Sequence, residues 1–325
     1  MKPLTFSILR LLSHDTFQSG EALAHRLGVS RTSIWQALEA LEETGLSLQR
    51  IRGRGYRLPR PIQWLDGERI TAALGAKAAD FALDIHDHLP STNTLLMKQA
   101  QEGAAHRTCL LAETQGAGRG RQGKRWRSSL GGSLTFSLLW RFDQGVAALY
   151  GLSLAVGVAL VRALHTEGAS GIALKWPNDL LHHDRKLAGI LIELQGDALG
   201  PSAAVIGIGL NLEVPDLLRQ QVDQPVTDLG AITGRPFDRN RVLASVLLHL
   251  GDVLEAFENQ GFAALRDEWL RHHAFHDKPV RLSMPDGSHW EGRAMGIADD
   301  GALLVETSQG PRRFASGEVS LRGGA

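Results

Sequence analysis

The chain has 325 residues, of which 43% are hydrophobic and 22% charged, so it is neither disordered nor fibrous and is long enough for two or three domains. Its formal net charge is zero, and its single cysteine, Cys109, excludes an intrachain disulfide and favours a reducing environment. The N-terminus has no signal-peptide pattern, and the apolar run 146–161 is too short and interrupted to span a bilayer. We therefore expect a cytoplasmic protein that does not enter a membrane.

Positive charge is concentrated near the N-terminus. Residues 1–60 contain nine Lys or Arg residues and five Asp or Glu residues, a net charge of +4, so the remainder carries −4. Such an imbalance favours binding of a polyanion by this end of the chain, although chance clustering on a solvated face gives the same count.

Three short helices are predicted within residues 4–45. Ser19 and Ser30 are good N-caps for the second and third helices, and Gly28 and Gly45 end them. Two helices joined by a short turn form a helix-turn-helix, whose second helix enters the major groove of DNA with its N-terminal residues. The polar residues at that position are Arg31, Thr32, Ser33 and Gln36.

A basic ribbon follows these helices. Residues 48–58 predict two short strands with a glycine-rich tip that carries Arg52 and Arg54, as in the wing of a winged helix, where cations lie along the phosphates of DNA. The alternative is a small three-helix domain that binds another protein. Pro59 and Pro61 indicate a linker near residues 60–66, so we predict a DNA-binding domain over residues 1–62.

Residues 66–275 alternate strand-like and helical patterns, which predicts a central α/β domain. The expected strands are 108–112, 133–140, 171–176, 187–194 and 203–210, and the expected long helices are 146–165 and 239–257. Ser91 caps a further helix that continues through Leu96 and Ala100. Several strands alternate apolar and polar residues, which favours a mixed or largely antiparallel sheet with helices on one face.

Residues 115–126 form a glycine-rich basic loop. Gly118, Gly120 and Gly123 imitate a dinucleotide-binding motif, but no helix follows. Residues 118–124 also imitate a P-loop, but Arg125 stands where a Ser or Thr is needed to bind magnesium. A flexible loop that binds an anion fits better, because glycines let backbone N–H groups approach the anion and arginines donate two hydrogen bonds to it. The alternative is a solvated basic loop with the cations Arg119, Arg121, Lys124 and Arg125.

A second polar cluster lies on a predicted hairpin formed by residues 174–180 and 184–190. It places Asn178, Asp179 and Lys186 near the ends of two strands, although plain turn chemistry would also explain these residues. The histidine pairs of the chain lack the Cys or carboxylate spacing of a closed metal site, so we predict no protein-held metal. Strand-like runs at 279–284, 288–298, 302–306 and 312–314 predict a small SH3-like β-barrel over residues 276–325.

Taken together, these motifs resemble those of biotin–protein ligases over nearly the whole chain. The motifs of the central domain are Ser91-Thr92-Asn93, Gly118-Arg119-Gly120-Arg121 with Gly123 and Trp126, Lys175-Trp176-Pro177-Asn178-Asp179, Arg185-Lys186-Leu187-Ala188-Gly189-Ile190 and Gly207-Ile208-Gly209-Leu210-Asn211. Members of the family that also repress the biotin operon share the N-terminal motifs Phe17-Gln18-Ser19-Gly20-Glu21, Ser30-Arg31 and Gly53-Arg54-Gly55-Tyr56.

The resemblance implies an α+β multidomain protein: an N-terminal winged helix-turn-helix, a central α/β ligase domain with a mixed sheet and a C-terminal SH3-like barrel. It also implies two substrate sites. Biotin would be bound by Ser91, Thr92, Asn93, Gln115, Arg119, Gly120, Arg121 and Lys186. ATP would be bound by Arg119, Arg121, Lys124, Trp126, Asn178, Lys186 and Asn211, with Asn211 reading the adenine edge and Mg²⁺ held mainly by the phosphates.

The catalytic residues implied by the resemblance are Lys186, Arg121 and Asp179. Biotin and ATP would form biotinyl-5′-AMP, and Asp179 would orient the attacking lysine of a biotin carboxyl-carrier protein. The adenylate-bound chain would bind operator DNA as a homodimer through Arg31, Thr32, Ser33, Gln36, Arg52 and Arg54. The alternatives are a biotin-sensing repressor without ligase activity and a ligase for another acyl acid such as lipoate.

Two positions depart from the family pattern. Gln122 stands where a further arginine is frequent, so the loop has one charge fewer. A second ordering loop is expected between residues 214 and 229, but that segment has no tryptophan to stack on adenine.

Overall fold

The computed structural model describes residues 2–39, 41, 46–235, 237–284 and 286–315, and the backbone of residues 320–323. The helices are α1 Pro3–Leu11, α2 Gly20–Leu27, α3 Arg31–Glu39, α4 Gly67–Leu74, α5 Thr92–Gln101, α6 Leu152–Thr166, α7 Asp216–Arg219, α8 Leu229–Thr233, α9 Arg239–Gln260 and α10 Arg266–Arg271. The first nine strands are β1 Gln49–Ile51, β2 Gly55–Arg57, β3 Ala82–Leu89, β4 Thr108–Gln115, β5 Ser133–Phe142, β6 Ala173–Lys175, β7 Asp179–His182, β8 Arg185–Gly196 and β9 Ser202–Asn211. The last five strands are β10 Pro279–Ser283, β11 His289–Ile297, β12 Leu303–Thr307, β13 Gly310–Phe314 and β14 Ser320–Gly323.

The N-terminal part is a winged helix, as the sequence predicts. Ser19 and Ser30 each accept a backbone N–H three residues further on, which begins α2 and α3. Gly28 ends α2 in the left-handed conformation with φ +66°. The predicted helix end at Gly45 lies outside the described residues. Strands β1 and β2 form the antiparallel wing.

The central sheet has seven strands in the order β3-β4-β5-β9-β8-β7-β6, and only the β3–β4 pair is parallel. Helices α4, α6 and α9 cover one face of the sheet. The prediction that helices cover one face only is wrong, because α5 packs on the opposite face. Successive residues of β4 show the reason: Leu111 belongs to one core and Leu110 to the other, and both are fully buried.

The helix predicted from residue 146 begins later than expected. Residues 146–148 form a short 3₁₀ turn, and α6 starts at Leu152 after Gly151, whose φ is +81°. A Cβ at position 151 would lie 2.7 Å from the Cβ of Phe262, so the chain needs glycine at this turn. Apolar periodicity did not reveal the break, because residues on both sides of it are apolar.

The C-terminal part is a five-stranded antiparallel sheet in the order β13-β12-β11-β10-β14. Its first four strands in chain order match the predicted runs, whereas β14 was not predicted, because its four residues, Ser-Leu-Arg-Gly, include a single apolar side chain and are too few to establish a period. Among the described helices, none combines the length and the apolar composition needed to cross a bilayer.

The linker between the first two domains is fastened to the central domain by a buried ion pair. The guanidinium of Arg239, at the start of α9, is fully buried and pairs with Glu113 of β4. Arg239 also donates to the backbone oxygens of Ser133 and Gln63, and Glu113 accepts the N–H of Leu65 at 2.6 Å. Two linker residues are therefore bonded directly to the two charged groups.

We predict that Glu113→Gln destabilises the protein by about 3 kcal/mol, because it leaves a buried guanidinium without a counter-charge. Urea unfolding followed by circular dichroism measures the change. The matched control is Glu291→Gln, which removes an ion pair with Arg281 whose side chains are 66% and 59% exposed. This variant should change stability by less than about 0.5 kcal/mol. Equal effects of the two variants would contradict the prediction.

The central domain meets the C-terminal sheet beside a buried histidine. His273 is 8% exposed, and its ring lies 4.7 Å from that of Trp269. Its neighbours in the chain are tied to β6: the N–H of Leu174 donates to His272 O, and the N–H of Ala274 donates to Leu174 O. Burial lowers the pKa of His273 to about 4.

A histidine whose pKa is lower in the folded state than in the unfolded state binds its proton more weakly when folded, so acid favours unfolding. His273 should contribute full stability above pH 6.5 and lose it as the pH falls towards 4. We predict that wild type loses about 2 kcal/mol more than His273→Phe between pH 7 and pH 5. Urea unfolding at several pH values measures this difference, and parallel pH profiles for the two proteins would refute it.

Candidate functional site

One large cleft brings most of the predicted site residues together. Its volume is about 1050 Å³, at the upper limit of the range for sites that bind small molecules and cofactors. Twelve of the thirteen residues predicted to bind biotin or ATP or to act in catalysis line it, and Asn211 does not. The twelve are Ser91, Thr92, Asn93, Gln115, Arg119, Gly120, Arg121, Lys124, Trp126, Asn178, Asp179 and Lys186.

One end of the cleft is neutral and rich in hydrogen-bonding groups. Ser91 caps α5, so Thr92 lies at the start of that helix. The N–H and the hydroxyl of Thr92 both donate to Gln115 Oε1, at 2.7 and 3.2 Å. With Oε1 occupied by two donors, the amide nitrogen of Gln115 can donate to a ligand. This end suits an uncharged polar group with an acceptor oxygen.

The other end of the cleft is positively charged. Asp179, at the start of β7, pairs with Lys186 Nζ at 2.6 Å and with Lys175 Nζ at 3.7 Å. Arg121 donates to Asn178 Oδ1 at 3.2 Å, and burial lowers the pKa of its guanidinium, which still remains charged. Three cations therefore share one carboxylate, and the excess positive charge favours an anionic ligand.

The glycine-rich loop, which the sequence predicts to be flexible, is folded on itself in this structure. The N–H of Gly120 donates to Lys124 O at 2.6 Å, and that of Trp126 donates to Gly118 O at 2.9 Å. The indole of Trp126 then lies over β9, where a Cβ at Gly209 would come 2.2 Å from the ring. Trp126 therefore supplies an aromatic wall to the cleft, although the segment 214–229 contains no tryptophan.

Asn211 does not line the cleft. Its side chain instead holds the loop of residues 214–229 in position. Its Nδ2 donates to Lys186 O at 3.4 Å and to Thr227 O at 3.1 Å. The backbone of Lys186 forms a parallel bridge with Val226, which brings residues 221–225 to the edge of the cleft. The expected loop between residues 214 and 229 therefore borders the site, and Asn211 contributes to its position.

Sequence reasoning missed Lys278, which lines the cleft, and two residues that lie behind its wall, Ser137 and Glu193. Ser137 is fully buried on β5, Glu193 lies on β8, and Lys278 lines the cleft from the start of the C-terminal part. Ser137 and Glu193 lie within regular strand patterns, where single polar residues carry no special signal. Lys278 lies in a segment that has no distinctive motif.

The proposed DNA-facing surface is formed by α3 and the wing. Arg31, Thr32 and Gln36 are exposed, whereas Ser33 is half-buried and its hydroxyl lies 2.9 Å from that of Ser30. Trp35, which the sequence argument missed, is 48% exposed on the same helix. An exposed aromatic residue beside the predicted base-reading residues adds apolar surface that can contact a thymine methyl.

At the tip of the wing, Arg52 is exposed. Arg54 and Arg57 lie over the ring of Phe17, each with its guanidinium carbon 4.7 Å from the ring centroid. Stacking on Phe17 holds these two charges against the body of the winged helix.

A winged helix, a mixed-sheet domain with a positively charged cleft and a small antiparallel sheet define a class of DNA-binding ligases. Family models match in the same order: an HTH domain over residues 5–57, the Biotin/lipoate A/B protein ligase family over residues 86–211 and the biotin protein ligase C terminal domain over residues 275–322. The chain is 39% identical to the bifunctional ligase/repressor BirA of Salmonella typhimurium, over 98% of this chain and 97% of that protein. The corresponding protein of Escherichia coli is 38% identical over 97% of this chain and 96% of its own length.

The chain belongs to the family of bifunctional ligase/repressor proteins. Among solved structures, it is similar to the biotin protein ligase from Aquifex aeolicus in complex with biotin and ATP, with a TM-score of 0.65 and 29% identity. That likeness covers 75% of this chain and 99% of the Aquifex chain.

Proposed function

We propose that this protein joins biotin to ATP to form biotinyl-5′-AMP, transfers the biotinyl group to a lysine of a biotin carboxyl-carrier protein, and represses transcription through its winged helix. The observation that carries the proposal is the polarity of the cleft. Thr92 and Gln115 form a neutral end, while Lys186 and Arg121 form a cationic end. Biotin has a neutral ureido ring at one end and a carboxylate at the other, and ATP is polyanionic.

In the first half-reaction the biotin carboxylate attacks the α-phosphorus of ATP, and diphosphate leaves. Both reactants are anions, so Lys186 and Arg121 lower the barrier by offsetting their repulsion and stabilising the charge that develops on phosphate. Lys124 and Trp126 complete the proposed ATP site. No group of three His, Cys, Asp or Glu side chains suited to a metal occurs within the described ranges. We propose that Mg²⁺ is held mainly by the phosphates, with Asn178 nearby.

In the second half-reaction the lysine amine of the carrier protein attacks the carbonyl carbon of the adenylate, and AMP leaves. A lysine is mostly protonated at neutral pH and must lose its proton before it can attack. We assign Asp179 to hold the incoming ammonium and to accept its proton, because the carboxylate is buried and lies beside Asn178 at the cationic end of the cleft. Closing of the glycine-rich loop would keep water from the anhydride.

For repression, we propose that two adenylate-bound chains bind operator DNA as a homodimer. The proposed base contacts come from Arg31, Thr32, Ser33 and Gln36, and the proposed phosphate contacts from Arg52 and Arg54. We further propose the domain division 1–62, 66–275 and 276–325 and a cytoplasmic site of action.

The experiment that tests the enzymatic proposal is ATP–pyrophosphate exchange by the purified chain, with biotin, lipoate or octanoate as the only acid. Exchange with biotin alone supports the proposal. Exchange with lipoate instead would assign another acyl acid to the cleft. Tight biotin binding without exchange would make the protein a biotin-sensing repressor.

We predict that Lys186→Gln lowers the rate of biotin-dependent pyrophosphate exchange about a hundredfold, because one donor to the developing charge is lost. Asp179→Asn should reduce this exchange much less but slow transfer from preformed adenylate to the carrier protein. Pyrophosphate exchange measures adenylate formation, and a separate assay with preformed adenylate measures transfer, so the two half-reactions are compared for each variant. Equal losses in both half-reactions for both variants would rule out the division of roles.

For the DNA-binding surface, we predict different losses for Gln36→Ala and Arg52→Ala. The probes are a duplex that the full chain enriches from a random library with biotin and ATP, and an unselected duplex. Gln36→Ala should weaken only the enriched duplex, by about 1–3 kcal/mol, because it removes a base contact. Arg52→Ala should weaken both and reduce the slope of log K against log salt by about 1. Matching losses on the two duplexes for Gln36→Ala would be evidence against base reading by α3.

A further inference from the structure

Glu193 is bonded to two separate parts of the cleft wall. It lies on β8 and is not itself a lining residue. Its carboxylate accepts from Arg119 Nη2 at 2.7 and 2.9 Å, which brings the glycine-rich loop to the strand. The same carboxylate accepts from Asn93 Nδ2 at 2.9 Å, in the first turn of α5. One side chain therefore joins the loop to the helix that carries the neutral end of the cleft.

The hydrogen bonds continue from Asn93 to the residues of the neutral end. Ser137 Oγ lies 2.5 Å from Asn93 Oδ1 and 2.7 Å from Thr92 Oγ1, and its single hydroxyl hydrogen donates to one of the two at a time. Thr92 in turn donates to Gln115 Oε1. Ser137 and Asn93 are 0% and 4% exposed, so this part of the network is shielded from water. The network runs without interruption from the loop cation Arg119 to Gln115.

The inner part of the network has little freedom to move. Asn93 also donates to Leu191 O at 3.1 Å. A Cβ at Gly207, across the sheet, would lie 2.1 Å from Asn93 Oδ1, so the amide is packed directly against the backbone of β9. Arg119 is different, because 46% of its side chain is exposed. Among the described residues, Glu193 is the one hydrogen-bonding or ion-pairing partner that holds this arginine side chain to the strand.

We propose that Glu193 is a positioning residue for biotin binding: it fixes the Arg119–Gly120 backbone of the loop at a set distance from Thr92 and Gln115. This inference rests on the proposed function. Glu193 touches no reacting atom and acts through Arg119 and Asn93. Its loss should therefore weaken the site for the neutral end of the substrate, while the cationic end, built from Lys186 and Arg121, keeps its geometry.

The test is Glu193→Gln in the full-length chain, assayed by biotin-dependent ATP–pyrophosphate exchange. The amide still accepts from Asn93 but has no charge to hold Arg119, so KM for biotin should rise about tenfold. The turnover number and KM for ATP should stay within about twofold of wild type, because Lys186 and Arg121, which form the cationic end of the cleft, are unchanged. Glu291→Gln is the matched control, since it neutralises a carboxylate paired with Arg281 outside the cleft, and it should leave all three constants unchanged.

A double variant tests whether Glu193 acts on biotin binding through Arg119. In an Arg119→Gln background, Glu193→Gln should add less than about twofold to KM for biotin, because the pair has already been broken. Glu193→Asp keeps the charge and should restore part of the affinity. If thermal unfolding shows that Glu193→Gln does not fold, KM for biotin of Glu193→Asp tests the inference instead.

Three outcomes would overturn the inference. They are an unchanged KM for biotin in a folded Glu193→Gln protein, a loss confined to turnover, and a lower KM for ATP, which would mean that Glu193 holds Arg119 away from phosphate. If wild type itself shows no exchange with biotin, the proposed function fails instead, so the two failures are distinguishable.

Discussion

The buried pair of Glu113 and Arg239 is the constraint on which the arrangement of the first two domains depends. A guanidinium and a carboxylate without solvent contact are stable only when each has its full set of partners. Here the partners are backbone groups of the linker and of β5, at Gln63, Leu65 and Ser133. The linker therefore folds as part of the central domain, and the winged helix is held in place by it. Ile62 and Leu130 extend the contact, because both pack with the N-terminal core.

Strand β4 connects the Glu113–Arg239 pair to the cleft. Glu113 lies two residues before Gln115, so the strand that holds the linker ends at the neutral part of the site. From Gln115 the hydrogen bonds pass through Thr92 and Ser137 to β5 and α5. The linker and the neutral end of the cleft are thus parts of one bonded region. The cationic end is built separately, on the β7–β8 hairpin, where Lys186 and Asp179 face each other across two strands.

The sequence predicted the winged helix and the α/β domain because capping residues and apolar periodicity are local signals, as at Ser19, Ser30 and Ser91. It also identified the charged cluster, since Asn178, Asp179 and Lys186 form an unusual motif. It could not reveal Ser137 or Glu193, whose roles arise only when distant strands are paired. Likewise, the break at Gly151 depends on contact with Phe262, far away in the chain. Local sequence patterns encode individual helices and strands, whereas the polar contacts between them form only in the folded chain.

Glycines explain how one sheet can carry both a packed core and a substrate cleft. At Gly207 the missing side chain makes room for Asn93, and at Gly209 it makes room for the indole of Trp126. The two residues lie on the same face of β9 because side chains on a strand alternate. Neighbouring Ile206 and Ile208 point the other way and are buried in the core beneath. Between residues 206 and 210, strand β9 therefore separates the two regions, with its isoleucine and leucine side chains on the core face and the backbone of Gly207 and Gly209 forming the base of the site.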